Sequence, residues 1–177
     1  MKKPKTMDPE ELALFRDSLS DVRPLNHDTV VHRRAQKPRQ AVQQQQQRRE
    51  ADHYFSDSYQ PALPTEGPMR YVKEGVSSYE VKRLRRGDYV PEVLLDLHGH
   101  TQAEARQELI ALINACKKQH LACASVMHGL GSGVLKRQVP AWLTQHPDVL
   151  AFHQAPLEWG GDGALLVLVD IGLNDEG

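Results

Sequence analysis

Apolar positions cluster in the last ninety residues, and there they change period in a regular way. Val93-Leu94-Leu95-Asp96-Leu97-His98 reads as a strand. Thr101-Gln102-Ala103-Glu104 is a capping box, and Ala105, Leu109, Leu112, Ile113 and Cys116 follow at helical spacing. Leu121 to Met127 forms a second strand of short apolar residues, followed by a Gly-rich turn, His128-Gly129-Leu130-Gly131-Ser132-Gly133. Val134, Leu135, Val139, Trp142 and Leu143 make the stripe of a second helix, which Pro140 should kink or start and Pro147 should close. Val149 to Gln154 alternates as a third strand, and Ala164 to Val169 is a fourth, apolar throughout. The order β-α-β-α-β-β predicts an α/β domain (two layers) over residues 91–172, with a four-stranded mixed sheet. Helical crossovers should make the first three strands parallel, and the last pair an antiparallel hairpin. The all-apolar fourth strand belongs inside the sheet and the alternating third strand at an edge.

The first ninety residues have a different texture. Asp8-Pro9-Glu10-Glu11 signals a helix start, and Leu12, Phe15, Leu19 and Val22 share a helical face before Pro24. Residues 1–24 are therefore expected to form an amphipathic helix, docking either on the chain's own C-terminal domain or on a partner. Residues 25–70 hold few large aliphatics, a glutamine run and a Pro-rich stretch from Pro61 to Pro68. They are expected to be a flexible tether, with helicity through Arg49 left open. In the pre-domain segment 71–90, Ser77 or Ser78 is placed to cap a short helix carrying Val81 and Leu84 and closed by Gly87. Lys82, Arg83, Arg85 and Arg86 on that helix form the densest basic cluster, either a solvated face or a phosphate-binding one.

Composition narrows the partners only slightly. With 22 Lys+Arg against 23 Asp+Glu, net charge is near zero, so an anion-binding surface must be local. Cys116 and Cys123 sit in apolar surroundings without metal-ligand spacing and read as reduced core residues. No apolar run reaches the length of a membrane span and no leader is evident, which predicts a cytoplasmic protein with no membrane partner.

Chemistry concentrates at one rim. Asp96 and His98 are two apart on the first strand, so their side chains leave the same face at its C-terminal end. His128 ends the second strand at the same rim if the two are parallel neighbours. A carboxylate and two imidazoles thus converge where open α/β sheets form crevices, although an Asp-x-His pair can also simply anchor a loop. The amides of Gly129, Gly131 and Gly133 and the following helix suit a phosphate oxyanion, or merely make a turn, and Lys136 and Arg137 add charge nearby. In the third loop, Glu158 to Gly163, Trp159 offers a stacking face for a base, or the glycines just close a hairpin.

Asp96-Leu97-His98-Gly99 before a Thr-capped helix, His128-Gly129-Leu130-Gly131-Ser132-Gly133-Val134-Leu135-Lys136, and Gly160-Gly161-Asp162-Gly163-Ala164 resemble, in order and spacing over about eighty residues, the three signatures of the small-MutS-related (Smr) family. His100 stands where that family commonly has leucine; it either adds a further imidazole at the rim or faces solvent, and solvent is the expectation. The resemblance implies an endonuclease and a sheet like that of a translation initiation factor's C-terminal domain. For the stand-alone bacterial branch it implies cleavage of messenger RNA on stalled, collided ribosomes. Catalysis is assigned to Asp96, His98 and His128, with phosphate or RNA contacts from Gly129, Gly131, Gly133, Lys136, Lys82, Arg83, Arg85, Arg86 and Trp159. Leu12, Phe15 and Leu19 form the expected ribosome-docking face.

The expected reaction is metal-independent transesterification: one imidazole takes the 2′-hydroxyl proton, a second acid protonates the leaving 5′-oxygen, and no cofactor is required. Which histidine is base and which acid stays open. So do three alternatives: a divalent ion held by Asp96 and two histidines, a domain that binds nucleic acid without cutting it, and an adaptor working through its N-terminal helix.

Overall fold

The computed structural model describes residues 8–18 and 39–172. The chain divides into two units, Met1–Gln36 and Lys37–Gly177. In the first, α1 spans Pro9–Ser18 and starts at the proline suited to a first helical position. The rest of the 1–24 expectation lies outside the described residues.

The second unit is built on a five-stranded sheet. Its strands are β1 (Arg70–Val72), β2 (Val93–Asp96), β3 (Cys123–Met127), β4 (Val149–Gln154) and β5 (Ala164–Val169), arranged β1-β4-β5-β3-β2. β2 and β3 pair parallel, whereas β5 is antiparallel to both β3 and β4. The three expected parallel strands therefore do point one way, with the antiparallel hairpin strand inserted between two of them. β5 is central and buried along its whole length, as its apolar run requires. The expectation of β4 at an edge is corrected: β1 pairs antiparallel along its outer side, Arg70 against His153 and Val72 against Ala151. Three residues were too few to register as a strand by pattern, and they take the edge instead.

Helices α2 (Arg39–Tyr54), α4 (Gln102–Gln119) and α5 (Val134–Gln145) cover one face, and α3 (Tyr79–Arg86) packs on β4 and β1. The first face carries Ala124, Val126, Phe152, Leu165 and Val167 against Leu109, Ile113, Trp142 and Leu143. The second carries Cys123, Ala151, Leu166 and Leu168 with Leu84 of α3. α4 begins on the expected capping box, with Thr101 and Glu104 bonded reciprocally. α5 runs through Pro140, which is buried and lacks the N–H that would reach the Lys136 carbonyl. α3 ends at Gly87, which adopts the left-handed conformation at φ 78°. Burial pushes the Cys116 and Cys123 thiols up to about 11 and about 12, as befits inert core cysteines.

The expected tether does not hold from Arg39 onward. α2 is polar along most of its length, yet its C-terminal end is anchored: Ala51 and Phe55 are buried, and Phe55 stacks on Trp142 with ring centroids 6.4 Å apart. Polar bonds add to this. Asn114 Nδ2 donates to Glu50 (2.8 Å), Trp142 Nε1 donates to Asp57 (2.9 Å), and Arg106 lies between Asp52 and Asp57. A few well-placed apolar residues thus fix a segment whose average composition argues for disorder.

Candidate active site

β2 and β3 end side by side, and the loops that follow them face each other. The Leu97 amide donates to the Met127 carbonyl (2.8 Å), and Leu97 is fully buried, which locks the chain leaving β2. Asp96 then grips the next turn at two points. Its Oδ1 accepts from the His98 amide (3.0 Å), and its Oδ2 meets His98 Nδ1 at 2.7 Å. A carboxylate only accepts, so Nδ1 carries the proton and Nε2 is the nitrogen left to meet a substrate. These two bonds, the backbone one first, hold the Asp96 carboxyl below the usual carboxylate range. Both side chains remain largely open to solvent.

His128 differs from His98 in its burial and in the partner that holds its ring. It is buried, and its Nδ1 lies 2.8 Å from the Gly129 carbonyl. That acceptor likewise fixes the proton on Nδ1 and leaves Nε2 as the free basic nitrogen. Burial pulls the ring's pKa below its ordinary value, outweighing the opposing pull of the carbonyl bond.

The third loop braces the second. The amides of His128 and Gly129 both donate to the Gly163 carbonyl at 3.0 Å. Gly129 has φ 72°, and a Cβ there would sit 3.7 Å from His98 Cβ, so the two histidine loops approach closely. Gly160 is more constrained: at φ 107° a Cβ would meet Ala164 Cβ at 2.8 Å. Lys136 Nζ pairs with Asp162 Oδ2 at 2.7 Å, tying α5 to the third loop. Asp162 is the partner that sequence reasoning missed; its proximity to Lys136 depends on the pairing of β3 with β5.

The result is a cleft of about 650 Å³ whose lining includes His98, His128, Gly129, Gly131, Gly133 and Lys136. Asp96 stands immediately behind His98. His100, expected to face solvent, is half-buried and lines the cleft, with Nδ1 3.4 Å from the His98 carbonyl. The remaining expected contacts are elsewhere. Trp159 packs against the α3-side core and is not among the cleft's lining residues. Arg83 is held by Glu80 and Tyr89, and Arg86 lies over the Tyr79 ring, so both have partners within the pre-domain segment. Lys82 and Arg85 line a different pocket. Leu12 lies on α1, partly exposed, while the Phe15 side chain and Leu19 fall outside the described residues. Among the described residues no three His, Cys, Asp or Glu side chains are grouped to share a metal ion.

The Smr domain family model matches residues 95–170, the stretch that contains the two loops lining the cleft and the third loop that braces them. A crystal structure of YdaL, a stand-alone small MutS-related protein from Escherichia coli, shares the fold at TM-score 0.58 and 24% identity, covering 69% of this chain and 98% of its own. Fold and cleft together define an Smr-domain protein. The chain is also 51% identical over 171 residues to the ribosome rescue factor SmrB of Tolumonas auensis, covering 96% of this chain and 98% of that one. It is 55% identical over 174 residues to SmrB of Serratia proteamaculans, covering 97% and 99%, and 56% identical over 165 residues to SmrB of Shewanella baltica, covering 93% and 94%. The chain belongs to the SmrB family.

Proposed function

We propose that this chain is an endoribonuclease that rescues ribosomes by cutting messenger RNA where they stall and collide. The observation carrying the proposal is the convergence, in one cleft, of a carboxylate-gripped exposed imidazole and a buried neutral one beside the start of a helix. Relatives alike over nearly the whole length are named ribosome rescue factors, which supplies the ribosomal setting and, with it, a cytoplasmic one. No described helix is long and apolar enough to cross a membrane.

The two imidazoles divide the work. His128, kept neutral by burial, takes the proton of the RNA 2′-hydroxyl through Nε2, and that oxygen attacks the adjacent phosphorus. His98, oriented by Asp96 and carrying a proton on Nε2 in its charged form, gives that proton to the departing 5′-oxygen. The N-terminal amides of α5 lack intrahelical partners. With those of the Gly129, Gly131 and Gly133 turn they stabilise the charge developing on the phosphoryl oxygens. Lys136 contributes once the phosphate competes with Asp162 for its ammonium. Atoms balance: the P–O5′ bond breaks as P–O2′ forms, leaving a 2′,3′-cyclic phosphate and a 5′-hydroxyl.

The N-terminal segment, through Leu12, Phe15 and Leu19, docks on the ribosome and raises the local concentration of the nuclease domain near its RNA. The test of the site is the Asp96→Ala/His98→Ala double variant. Loss of general acid catalysis should lower cleavage about 10²–10⁴-fold, with melting temperature and ribosome association preserved. Cleavage at the parental rate would refute the assignment.

A further inference from the structure

A second pocket, about 770 Å³, opens between β1, β4 and α3. Arg70 and His153 are register partners on β1 and β4, so both project to the sheet face on which α3 lies. Lys82 and Arg85, three apart on α3, share the helix side that borders them. No carboxylate lines this pocket. Among the described residues none of Arg70, Lys82 and Arg85 has an ion-pair partner, although four other Lys or Arg side chains do. All three are exposed, where water and salt screen their mutual repulsion, and an anion seated among them would gain from all three charges.

The surrounding surface also suits a phosphate with something attached. Ser78 lines the pocket, and its side chain makes no cap bond to α3, so its hydroxyl is available to donate. His153 is 5% exposed at the base, with Nδ1 bonded to the Gln154 carbonyl at 2.7 Å. Leu63, Pro64 and Val81 supply an apolar wall of the kind a sugar or base covers. β4 runs the same way as β2 and β3, so His153 and Arg70 lie toward the rim that bears His98 and His128. Within the sheet, the strands bordering the pocket are offset from those bordering the cleft by roughly three strand spacings, about 14 Å, and α3 lies on the face opposite α4 and α5, so a strand passing between the two crosses the rim. One strand of RNA can therefore follow the rim from cleft to pocket.

We propose that this pocket is a second RNA site, in which Arg70, Lys82 and Arg85 hold a backbone phosphate of the strand being cut while its nucleoside lies on the Leu63–Pro64–Val81 wall. The choice of RNA as the phosphate's bearer rests on the function proposed above. The division of the basic cluster follows from the geometry: Lys82 and Arg85 bind, whereas Arg83 and Arg86 hold Tyr89 and Tyr79.

The test uses the full chain and a 2′-O-methyl oligonucleotide of about twelve nucleotides, which cannot be cut, so that binding is read independently of cleavage. Lys82→Gln/Arg85→Gln should weaken binding about five-fold or more at 0.1 M salt. It should also make the slope of log affinity against log salt shallower by about 1.4, about 0.7 for each contact removed. Arg70→Gln, on a different element, should act the same way with half the change in slope. Arg48→Gln/Arg49→Gln removes equal charge from the exposed side of α2 and should leave both quantities close to the parent. Equal losses in the control, or parental binding by the pocket variants, would overturn the proposal. So would a mononucleotide that binds as tightly as the oligonucleotide, since the pocket would then serve a free phosphate ester. If pocket-dependent binding is found in a chain that cuts no RNA, the site stands and the nuclease reading falls.

Discussion

At the scale of single residues, the proposed division of labour rests on two histidines in contrasting surroundings. His98 is open and gripped by Asp96; His128 is buried and held by the Gly129 carbonyl. Since burial lowers the His128 pKa, the ring stays neutral at pH values where an ordinary histidine begins to charge. A base must be neutral to act, so activity should hold as pH falls past about 6.5 and decline only below it. A pH profile of single-turnover cleavage reads this acid limb; a limb midpoint above 6.5 would show that His128 is not the base. The sequence made Asp96, His98 and His128 visible because strand ends and glycine turns mark a rim without any structure. The Asp162 partner of Lys136 was not visible, and His100 was assigned to solvent rather than to the rim. The first reaches Lys136 only through the β3–β5 pairing, and the second is turned inward by the bend after His98.

At the scale of elements, local signals carried α3 and the helices and strands of residues 91–172. The capping box, the all-apolar strand and the Gly87 stop all lie where the pattern puts them. What pattern did not carry was attachment across long sequence separation. β1 exists because three residues find the free side of β4, and α2 is ordered because Ala51 and Phe55 reach a core formed mostly by residues of α4, α5 and the sheet, far later in the chain. That dependence can be measured. Phe55→Ala removes a 2%-exposed ring stacked on Trp142 and should destabilise the protein by about 3–5 kcal/mol in chemical denaturation. A loss under about 1 kcal/mol would mean that the segment is a tether after all.

At the scale of the whole molecule, the proposal assigns recruitment to the N-terminal unit and chemistry to the second. Deleting residues 1–30 should reduce ribosome co-sedimentation and cleavage in cells while sparing cleavage of excess naked RNA and the melting temperature of the remainder. A truncated protein that melts early yet still follows ribosomes would show that α1 belongs to the core.

The central claim is that the cleft cuts RNA by using the substrate's own 2′-hydroxyl, with two imidazoles moving the protons. End-group mapping of RNA cut by the full chain in the presence of a chelator tests it most directly. The account predicts continued cleavage, 5′-hydroxyl and 2′,3′-cyclic phosphate ends, and no cutting of the equivalent DNA. Cleavage abolished by the chelator, or products bearing 5′-phosphates, would contradict it.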